Sequence, residues 1–152
     1  IFFRVAQRDH RFQIELDLDD TLPPVPINEF VIWEIFEPLI QNCVEHAGET
    51  NVKVSVKTRY LLEEAIARVY IEDNGAGIAP ELLEKNEKGV KKIFLENMST
   101  KKDKVNAGYG CFIAYEIASQ RCGWTIDADN TGEGARFVVT IPFQSGQNSG
   151  KA

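Results

Sequence analysis

The stretch Asp73-Asn74-Gly75-Ala76-Gly77-Ile78 is the most informative part of the sequence. Its carboxylate ends an apolar, strand-like run, and its two glycines leave bare backbone that can approach a flat ligand closely. A carboxylate in that place can accept a hydrogen bond from the exocyclic amine of a nucleobase. Asp-Asn-Gly is also a common turn sequence, so the stretch alone leaves both interpretations open. Its neighbours in the chain favour a nucleotide site, with Asp73 at the end of a strand and outside the core.

An amphipathic helix is predicted upstream, over residues 27–47, with Asn28 as its N-cap. Asn42 and His46 are four residues apart and therefore share one face of this helix. The amide oxygen of Asn42 suits a hard cation such as Mg²⁺, which takes its other ligands from water and a polyphosphate. His46 is equally consistent with a histidine near a helix end that the helix dipole favours. The helix therefore offers Asn42 as a metal ligand.

A second glycine cluster, Gly108-Tyr109-Gly110, opens another predicted helix, over 109–122. The free amides and the positive dipole end of a helix N-terminus favour an anion. The preceding segment 85–104, which includes Lys101 and Lys102, holds seven lysines and three acidic residues in a chain of net charge −6. We interpret it as a positive flap beside a triphosphate, although a solvated charged loop would have the same composition. We expect residues 80–107 to be poorly ordered without nucleotide.

Alternation of apolar and polar residues predicts five strands, over 12–18, 51–60, 66–73, 124–128 and 135–143. The second and third of these are close enough in the chain to pair as a hairpin. Residues 79–107 have weak periodicity and are predicted to form a long loop with short helices. The tail, 144–152, is small and polar, and we expect it to be disordered.

The composition limits the classes of function. At 152 residues the chain is predicted to form one domain, over 1–143. The negative charge argues against general affinity for nucleic acid or anionic lipid, and no apolar run approaches the roughly 20 residues of a spanning helix. The three cysteines share no CxxC spacing, so we expect reduced thiols without a chemical role and a cytoplasmic location. The sequence begins at Ile1, as expected for an excised part of a longer protein.

Four motifs together resemble those of sensor histidine kinases. Residues 37–47 resemble the N box and 73–78 the G1 box. Ile93-Phe94 is similar to the F box and 108–113 to the G2 box, and Gly132-x-Gly134 near the end also fits. The resemblance covers about residues 10–143 with the motifs in the correct order. It points to the ATPase family that groups gyrase, Hsp90, histidine kinases and MutL.

This resemblance implies a two-layer α/β sandwich of the Bergerat type, with a mixed sheet covered on one face by three helices and a mobile lid. It assigns Mg²⁺ to Asn42 and the adenine amine to Asp73. Further ATP-binding residues are implied in the adenine pocket, in the phosphate and lid-hinge region and in the flap. They are His46, Gly75, Gly77, Ile78, Lys101, Lys102, Gly108, Tyr109 and Gly110.

The implied activity is that of an ATP:protein-histidine phosphotransferase that uses Mg-ATP. The phosphoryl acceptor would be a histidine on a separate dimerisation domain of the same parent chain. The resemblance allows a parent chain that is anchored in the inner membrane. A response regulator would be an indirect partner. We expect no catalytic residue, no nucleic-acid contact and no membrane contact in this chain. His10 precedes a strand pattern, which is unlike an acceptor histidine. Alone, the chain is expected to be inactive in transfer.

The sequence departs from the family pattern at three places. Pro38 stands one turn before Asn42, where many histidine kinases have Asn and gyrase-type ATPases have a catalytic Glu. Glu45 stands where Lys is common, and Phe112 replaces a further glycine of the G2 box. Glu45 and Phe112 favour an alternative, a degenerate nucleotide-sensing interaction module. An anti-sigma-type serine kinase and a scaffold that binds no nucleotide are further alternatives of the same fold.

Overall fold

The structure is a computed structural model that describes residues 12–45, 51–96 and 110–143. Its strands are β1 (Phe12–Asp17), β2 (Val52–Leu61), β3 (Ile66–Asp73), β4 (Thr125–Asn130) and β5 (Ala135–Pro142). Its longer helices are α1 (Glu29–Glu45) and α2 (Gly110–Glu116), and α2 continues as a π-helical stretch, Ile117–Cys122. No helix in these three ranges is long and apolar enough to cross a membrane.

The five strands form one mixed sheet in the order β1-β2-β3-β5-β4. β1 pairs with β2 in parallel, and the other three pairs are antiparallel. The predicted hairpin is therefore confirmed as β2 and β3, and all five predicted strands are present with small shifts at their ends. Because β3 lies at the centre, the residues that follow its last position emerge between β2 and β5.

The core lies between one face of the sheet and the two helices. Along β3 and β5 buried residues alternate with half-buried ones, and partners such as Ile71 and Phe137 lie side by side on the helix face. α1 contributes Ile35 and Leu39, which are fully buried, and packs against both the sheet and α2. Burial of such side chains is worth about 2 kcal/mol each. The two-layer sandwich implied by the motifs is confirmed.

The number of helices differs from the implied three. The described ranges contain two helices longer than one turn, both on the same face of the sheet. Within residues 74–96, the described part of the segment after β3, the chain forms two single 3-10 turns, Pro80–Leu83 and Lys92–Phe94, in agreement with the predicted long loop with short helices. Gly89 between them adopts a left-handed conformation (φ 82°), which interrupts any helix.

α2 ends in a π-helical stretch where the sequence predicts a regular helix. The Ser119 hydroxyl donates to the Tyr115 carbonyl oxygen (2.8 Å), so it competes with the backbone amides for that acceptor. Gly123 follows with φ 71°, and the Trp124 amide donates to the Ala118 carbonyl oxygen (2.8 Å). The predicted end of the helix at Gly123 is confirmed, and its widened last turn is new.

α1 begins where the sequence predicts. The side chain of Asn28 accepts a hydrogen bond from the Phe30 amide (2.8 Å), as an N-cap does. Asn42, fourteen residues later, lies about 21 Å along the helix axis from this cap by the rise per residue. The two asparagines therefore mark opposite ends of α1.

The turn between β4 and β5 (residues 130–135, the β4–β5 turn) lies directly against the end of β3. A Cβ atom placed on Gly134 would lie 2.6 Å from Asp73 Oδ1, and closer still to the Asp73 carbonyl oxygen. The turn is closed by Thr131, whose amide donates to the Gly134 carbonyl oxygen (2.7 Å) and whose hydroxyl accepts from the Gly134 amide (3.0 Å). Glycine at 134 is thus a steric requirement of this contact.

Asp19 fastens the chain after β1 to the edge of β2. Its carboxylate accepts from the Thr21 hydroxyl (2.6 Å), the Tyr60 amide (2.8 Å) and the Thr21 amide (2.9 Å). Its own amide donates to the Thr58 hydroxyl (2.8 Å). These bonds, that from the Thr21 hydroxyl first, lower the pKa of Asp19 from its ordinary value to about 2.

The first prediction concerns the titration of Asp19. Thr21→Val removes the hydroxyl donor and keeps the Thr21 amide, so the pKa of Asp19 should rise from about 2 towards its ordinary value. Because the folded-state pKa is depressed, the stabilisation is present above the unfolded-state pKa and is lost as pH falls through the folded-state pKa. NMR titration of the side-chain carboxyl measures this. Asp17, whose pKa is lowered by Arg59, is the internal control and should not shift. An unchanged Asp19 titration would contradict the assignment.

The second prediction compares two glycines of the β4–β5 turn. Gly134→Ala should lower the free energy of unfolding by about 2 kcal/mol or more, because the new methyl group collides with Asp73. Gly132→Ala, with no atom within 4 Å of the added Cβ, should change it by about 0.5 kcal/mol or less. Chemical denaturation of both variants gives the comparison. Equal losses would mean that the close approach at Gly134 is not the cause.

Candidate nucleotide site

Asp73 is the last residue of β3 and begins the loop Asp73–Ile78, here called the base loop. Its Oδ1 accepts hydrogen bonds from the Gly75 amide (2.8 Å) and from the Ala135 amide (3.1 Å). The residue is only 8% exposed, so the expectation that it lies outside the core is wrong. A buried carboxylate needs such hydrogen bonds to offset its lost hydration. Both amides donate to Oδ1, and neither donates to Oδ2.

Cys43 of α1 also contacts this carboxylate, a role that the sequence analysis did not give to any cysteine. Its thiol is hydrogen bonded to Asp73. Burial, followed by the neighbouring Asp73 charge, raises the pKa of the Cys43 thiol well above its ordinary value. The thiol is therefore protonated at neutral pH and donates to the carboxylate. Only a tertiary contact reveals this, because nothing local distinguishes Cys43 from other apolar positions of α1.

Three segments that the sequence analysis treats separately meet at this point. Cys43 is the neighbour of Asn42 on α1, and Cys111, near the start of α2, lies close enough to contribute to the raised pKa of Cys43. Gly110 opens α2, and a Cβ atom placed on it would lie 3.4 Å from Pro38 Cβ. The start of α2 therefore packs on the same part of α1 that carries the predicted metal ligand.

The far end of the base loop is held by a residue that the sequence analysis missed. The amide oxygen Oδ1 of Asn130 accepts from the Ile78 amide (2.6 Å), and its Nδ2 donates to the Ile78 carbonyl oxygen (2.9 Å). Ile78 itself is buried in the core. Asn130 lies 52 positions away in the chain, at the end of β4, so no local pattern could have identified it.

The described part of the predicted flap, residues 80–96, is held by the rest of the domain. Ile93 and Phe94 are buried, and the Phe94 ring stacks on Tyr115 with a centroid distance of 5.0 Å. Lys91 donates to the Ala128 carbonyl oxygen and pairs with Asp127 (3.0 Å). Up to residue 96 the segment thus has apolar and polar anchors, and its predicted poor order without nucleotide stays a prediction. The remainder of the flap lies outside the described residues.

Lysines of this segment are also less available than their number suggests. Lys91 and Lys92 already form ion pairs, with Asp127 and with Glu84. Such pairs near the surface are individually weak, so they reduce the local positive charge without contributing much stability.

The predicted ligand-binding residues divide into two groups. Those within the described ranges are Asn42, Asp73, Gly75, Gly77, Ile78 and Gly110. Those outside them are His46, Lys101, Lys102, Gly108 and Tyr109. In the described part of the chain, no three His, Cys, Asp or Glu side chains come together as metal ligands. The magnesium prediction stays with the Asn42 amide.

The family profile "Histidine kinase-, DNA gyrase B-, and HSP90-like ATPase" matches residues 28–145 of this chain. The chain is 26% identical to the alginate biosynthesis sensor protein KinB of Pseudomonas aeruginosa over 132 residues. This aligned region covers 87% of this chain and 20% of that protein. Over 133 residues it is 24% identical to sporulation kinase E of Bacillus subtilis, again 87% of this chain but 16% of that protein. The chain therefore spans a fifth or less of these two relatives.

Solved structures agree with the sequence relatives. The catalytic domain of histidine kinase ThkA, in a nucleotide-free form, superposes with a TM-score of 0.73 at 25% identity, over 92% of this chain and 84% of that one. Full-length ShkA in complex with AMPPNP gives a TM-score of 0.72 over 91% of this chain and 27% of that one, and its 21% identity bears on the fold alone. With the family match over more than half of its length, the chain belongs to the histidine kinase-, DNA gyrase B- and HSP90-like ATPases.

Proposed function

We propose that this chain is the ATP-binding catalytic domain of a sensor histidine kinase. It would bind Mg-ATP and present the γ-phosphate to a histidine on a separate dimerisation domain of the same parent chain. The observation that carries the proposal is the buried Asp73 carboxylate at the end of β3, fixed by two backbone amides beside a glycine loop. The names of the relatives, among them a two-component sensor and a sensor histidine kinase, support the same assignment.

Adenine recognition follows from the chemistry of Asp73. The amides of Gly75 and Ala135 occupy one of its oxygens, so the carboxylate cannot rotate without losing both hydrogen bonds. The other oxygen accepts from neither of these amides, and its direction is fixed by the two bonds to the first. Adenine has an exocyclic amine at the edge where guanine has a carbonyl oxygen, and an acceptor there distinguishes the two bases. Gly75 and Gly77 are proposed to supply the loop backbone against which the adenine ring lies.

Asn42 would hold the metal ion. It lies on α1 directly before Cys43, whose thiol contacts Asp73, so the same turn of α1 would serve both the metal ion and the base site. A neutral amide oxygen is a suitable ligand for Mg²⁺, which keeps several waters and takes oxygens from phosphates. When bound, the ion supplies positive charge that neutralises the triphosphate. Six further residues are kept as proposed ATP-binding residues: His46, Lys101, Lys102, Gly108, Tyr109 and Gly110. Of these, Gly110 lies against Pro38 of α1.

The phosphoryl acceptor is proposed to lie outside this chain. Phosphoryl transfer depends mainly on positioning and charge neutralisation, so a domain can serve it without a nucleophile of its own. Pro38 occupies the place of a catalytic base one turn before Asn42, and Glu37 is about 100° away around the helix. Alone, the chain would therefore transfer no phosphate to itself. A response regulator would receive the phosphoryl group only from the acceptor histidine.

A nucleotide-sensing module remains the alternative function. Phe112 stands in α2 where the family pattern has glycine, and its side chain is half-buried. A bulky residue at that place restricts the backbone near the phosphates more than glycine does. In that case ATP would control a partner through binding alone, and both functions require the base site of Asp73.

The third prediction tests the base site. Asp73→Asn should keep the fold, because the amide oxygen can still accept from Gly75 and Ala135, but it places an NH₂ donor against the adenine amine. We expect ATP affinity to fall roughly a hundredfold, the effect of about 3 kcal/mol from losing a charged hydrogen bond. Calorimetric titration with ATP and GTP measures affinity and base preference. Asp17→Asn, at an exposed pair with Arg59, is the matched control and should bind ATP normally. Unchanged ATP affinity in Asp73→Asn would remove the basis of the assignment.

The fourth prediction separates the metal from the base. Asn42→Ala should weaken ATP binding in Mg²⁺ by more than roughly tenfold, since loss of a metal-site residue commonly costs that much. Binding of adenosine, which carries no phosphate or metal, should stay within about twofold. Titrations with both ligands on the same protein give the ratio. A uniform loss for ATP and adenosine would show that Asn42 does not act through the metal.

A further inference from the structure

Asn130 makes two hydrogen bonds to one residue of the base loop. Its Oδ1 accepts from the Ile78 amide (2.6 Å), and its Nδ2 donates to the Ile78 carbonyl oxygen (2.9 Å). One side chain thereby satisfies both backbone polar groups of Ile78, as a neighbouring strand would. The reverse orientation of the amide would set donor against donor and acceptor against acceptor, so the two bonds require each other.

Gly77 shows how closely the Asn130 side chain follows the loop. A Cβ atom placed on Gly77 would lie 2.9 Å from Asn130 Oδ1. The φ angle of Gly77 is +86°, a conformation that other residues adopt only with strain. Glycine at this position therefore serves the approach of Asn130, in addition to the approach of a base that the sequence suggests.

The β4–β5 turn holds the base loop at both ends. Asn130, at the start of the turn, binds Ile78, and Ala135, at its end, donates its amide to Asp73 Oδ1 (3.1 Å). Thr131 closes the turn onto Gly134, which fixes the spacing between these two contacts. The distance between the loop backbone and the Asp73 carboxylate is thus set by the turn.

We propose that Asn130 is a positioning residue for purine recognition. It holds Gly77 and Ile78 at the distance from Asp73 that admits an adenine ring, and it acts through Ile78 without contacting the base. The inference rests on the base site assigned under Proposed function. Because the Asn130 side chain lies at the surface, it contributes little to the core, and its main effect should be on the loop.

The test uses two substitutions and one matched control on the full chain. Asn130→Ala removes both hydrogen bonds to Ile78. Asn130→Asp keeps an acceptor for the Ile78 amide but sets a carboxylate oxygen against the Ile78 carbonyl. Asn28→Ala removes the exposed N-cap hydrogen bond at the start of α1, and it controls for a general loss of stability. Thermal unfolding of each variant establishes that it is folded at the temperature of the titrations.

Calorimetry with Mg-ATP and Mg-GTP gives the main readout. Asn130→Ala should lower ATP affinity roughly tenfold, the size expected for the loss of two partly buried hydrogen bonds, and should reduce the preference for ATP over GTP. Asn28→Ala should change neither quantity. Asn130→Asp should resemble Asn130→Ala at pH 7.5. Its ATP affinity relative to wild type should rise as pH falls towards about 4, the ordinary pKa of an aspartic acid, because protonation restores a donor to the Ile78 carbonyl.

The outcomes separate the inference from the function it depends on. Wild-type protein that binds neither nucleotide would overturn both the proposed function and this inference. If the wild-type protein binds ATP and Asn130→Ala leaves both ATP affinity and base preference unchanged, the inference alone is overturned. Asn130 would then have a structural role only. A loss in Asn130→Asp that does not depend on pH would likewise contradict the proposed role of the donor.

Discussion

The Asp73 carboxylate is the point on which the site and much of its surroundings depend. One of its oxygens accepts from Gly75, two residues on, and from Ala135, 62 residues on. A carboxylate this buried is costly unless such bonds are made. The fold supplies them by bringing β5 beside β3 and by leaving Gly134 without a side chain. The carboxylate that we propose to recognise the base is therefore oriented by the sheet itself.

The fold was largely predictable because its signals are local. Strict alternation marked the strands, a helical stripe marked α1, and Gly123 marked the end of α2. One feature was not predictable on that basis. The π-helical end of α2 is explained by competition between the Ser119 hydroxyl and backbone amides for the Tyr115 carbonyl oxygen, which periodicity does not report. The two short 3-10 turns after β3 agree with the predicted loop with short helices, and Gly89 between them takes a left-handed conformation.

The site was only partly predictable. The residues proposed to contact the base are consecutive in the sequence, but the residues that hold them in place are distant in it. Asp73 and the glycines that follow it form a continuous motif, which residue type and spacing reveal. Cys43 and Asn130 reach the same loop from 30 and 52 positions away. On its own helix Cys43 looks like any apolar residue, and Asn130 looks like the end of a strand. Only the packing of α1 and the β4–β5 turn against β3 gives them a role.

In the proposed function, Asp73 would combine a structural task and a binding task in one side chain, with one oxygen for each. The oxygen that accepts from Gly75 and Ala135 fixes the end of β3. The other can face a ligand in a direction that the first has determined. The protonated Cys43 thiol adds a hydrogen-bond donor from α1, so a displacement of that helix would alter a contact of the carboxylate. Because the proposed metal ligand Asn42 directly precedes Cys43 on α1, base recognition and metal binding would share one rigid element. A nucleotide that engaged both would therefore be aligned by the relation between α1 and β3, which the buried core between them holds fixed.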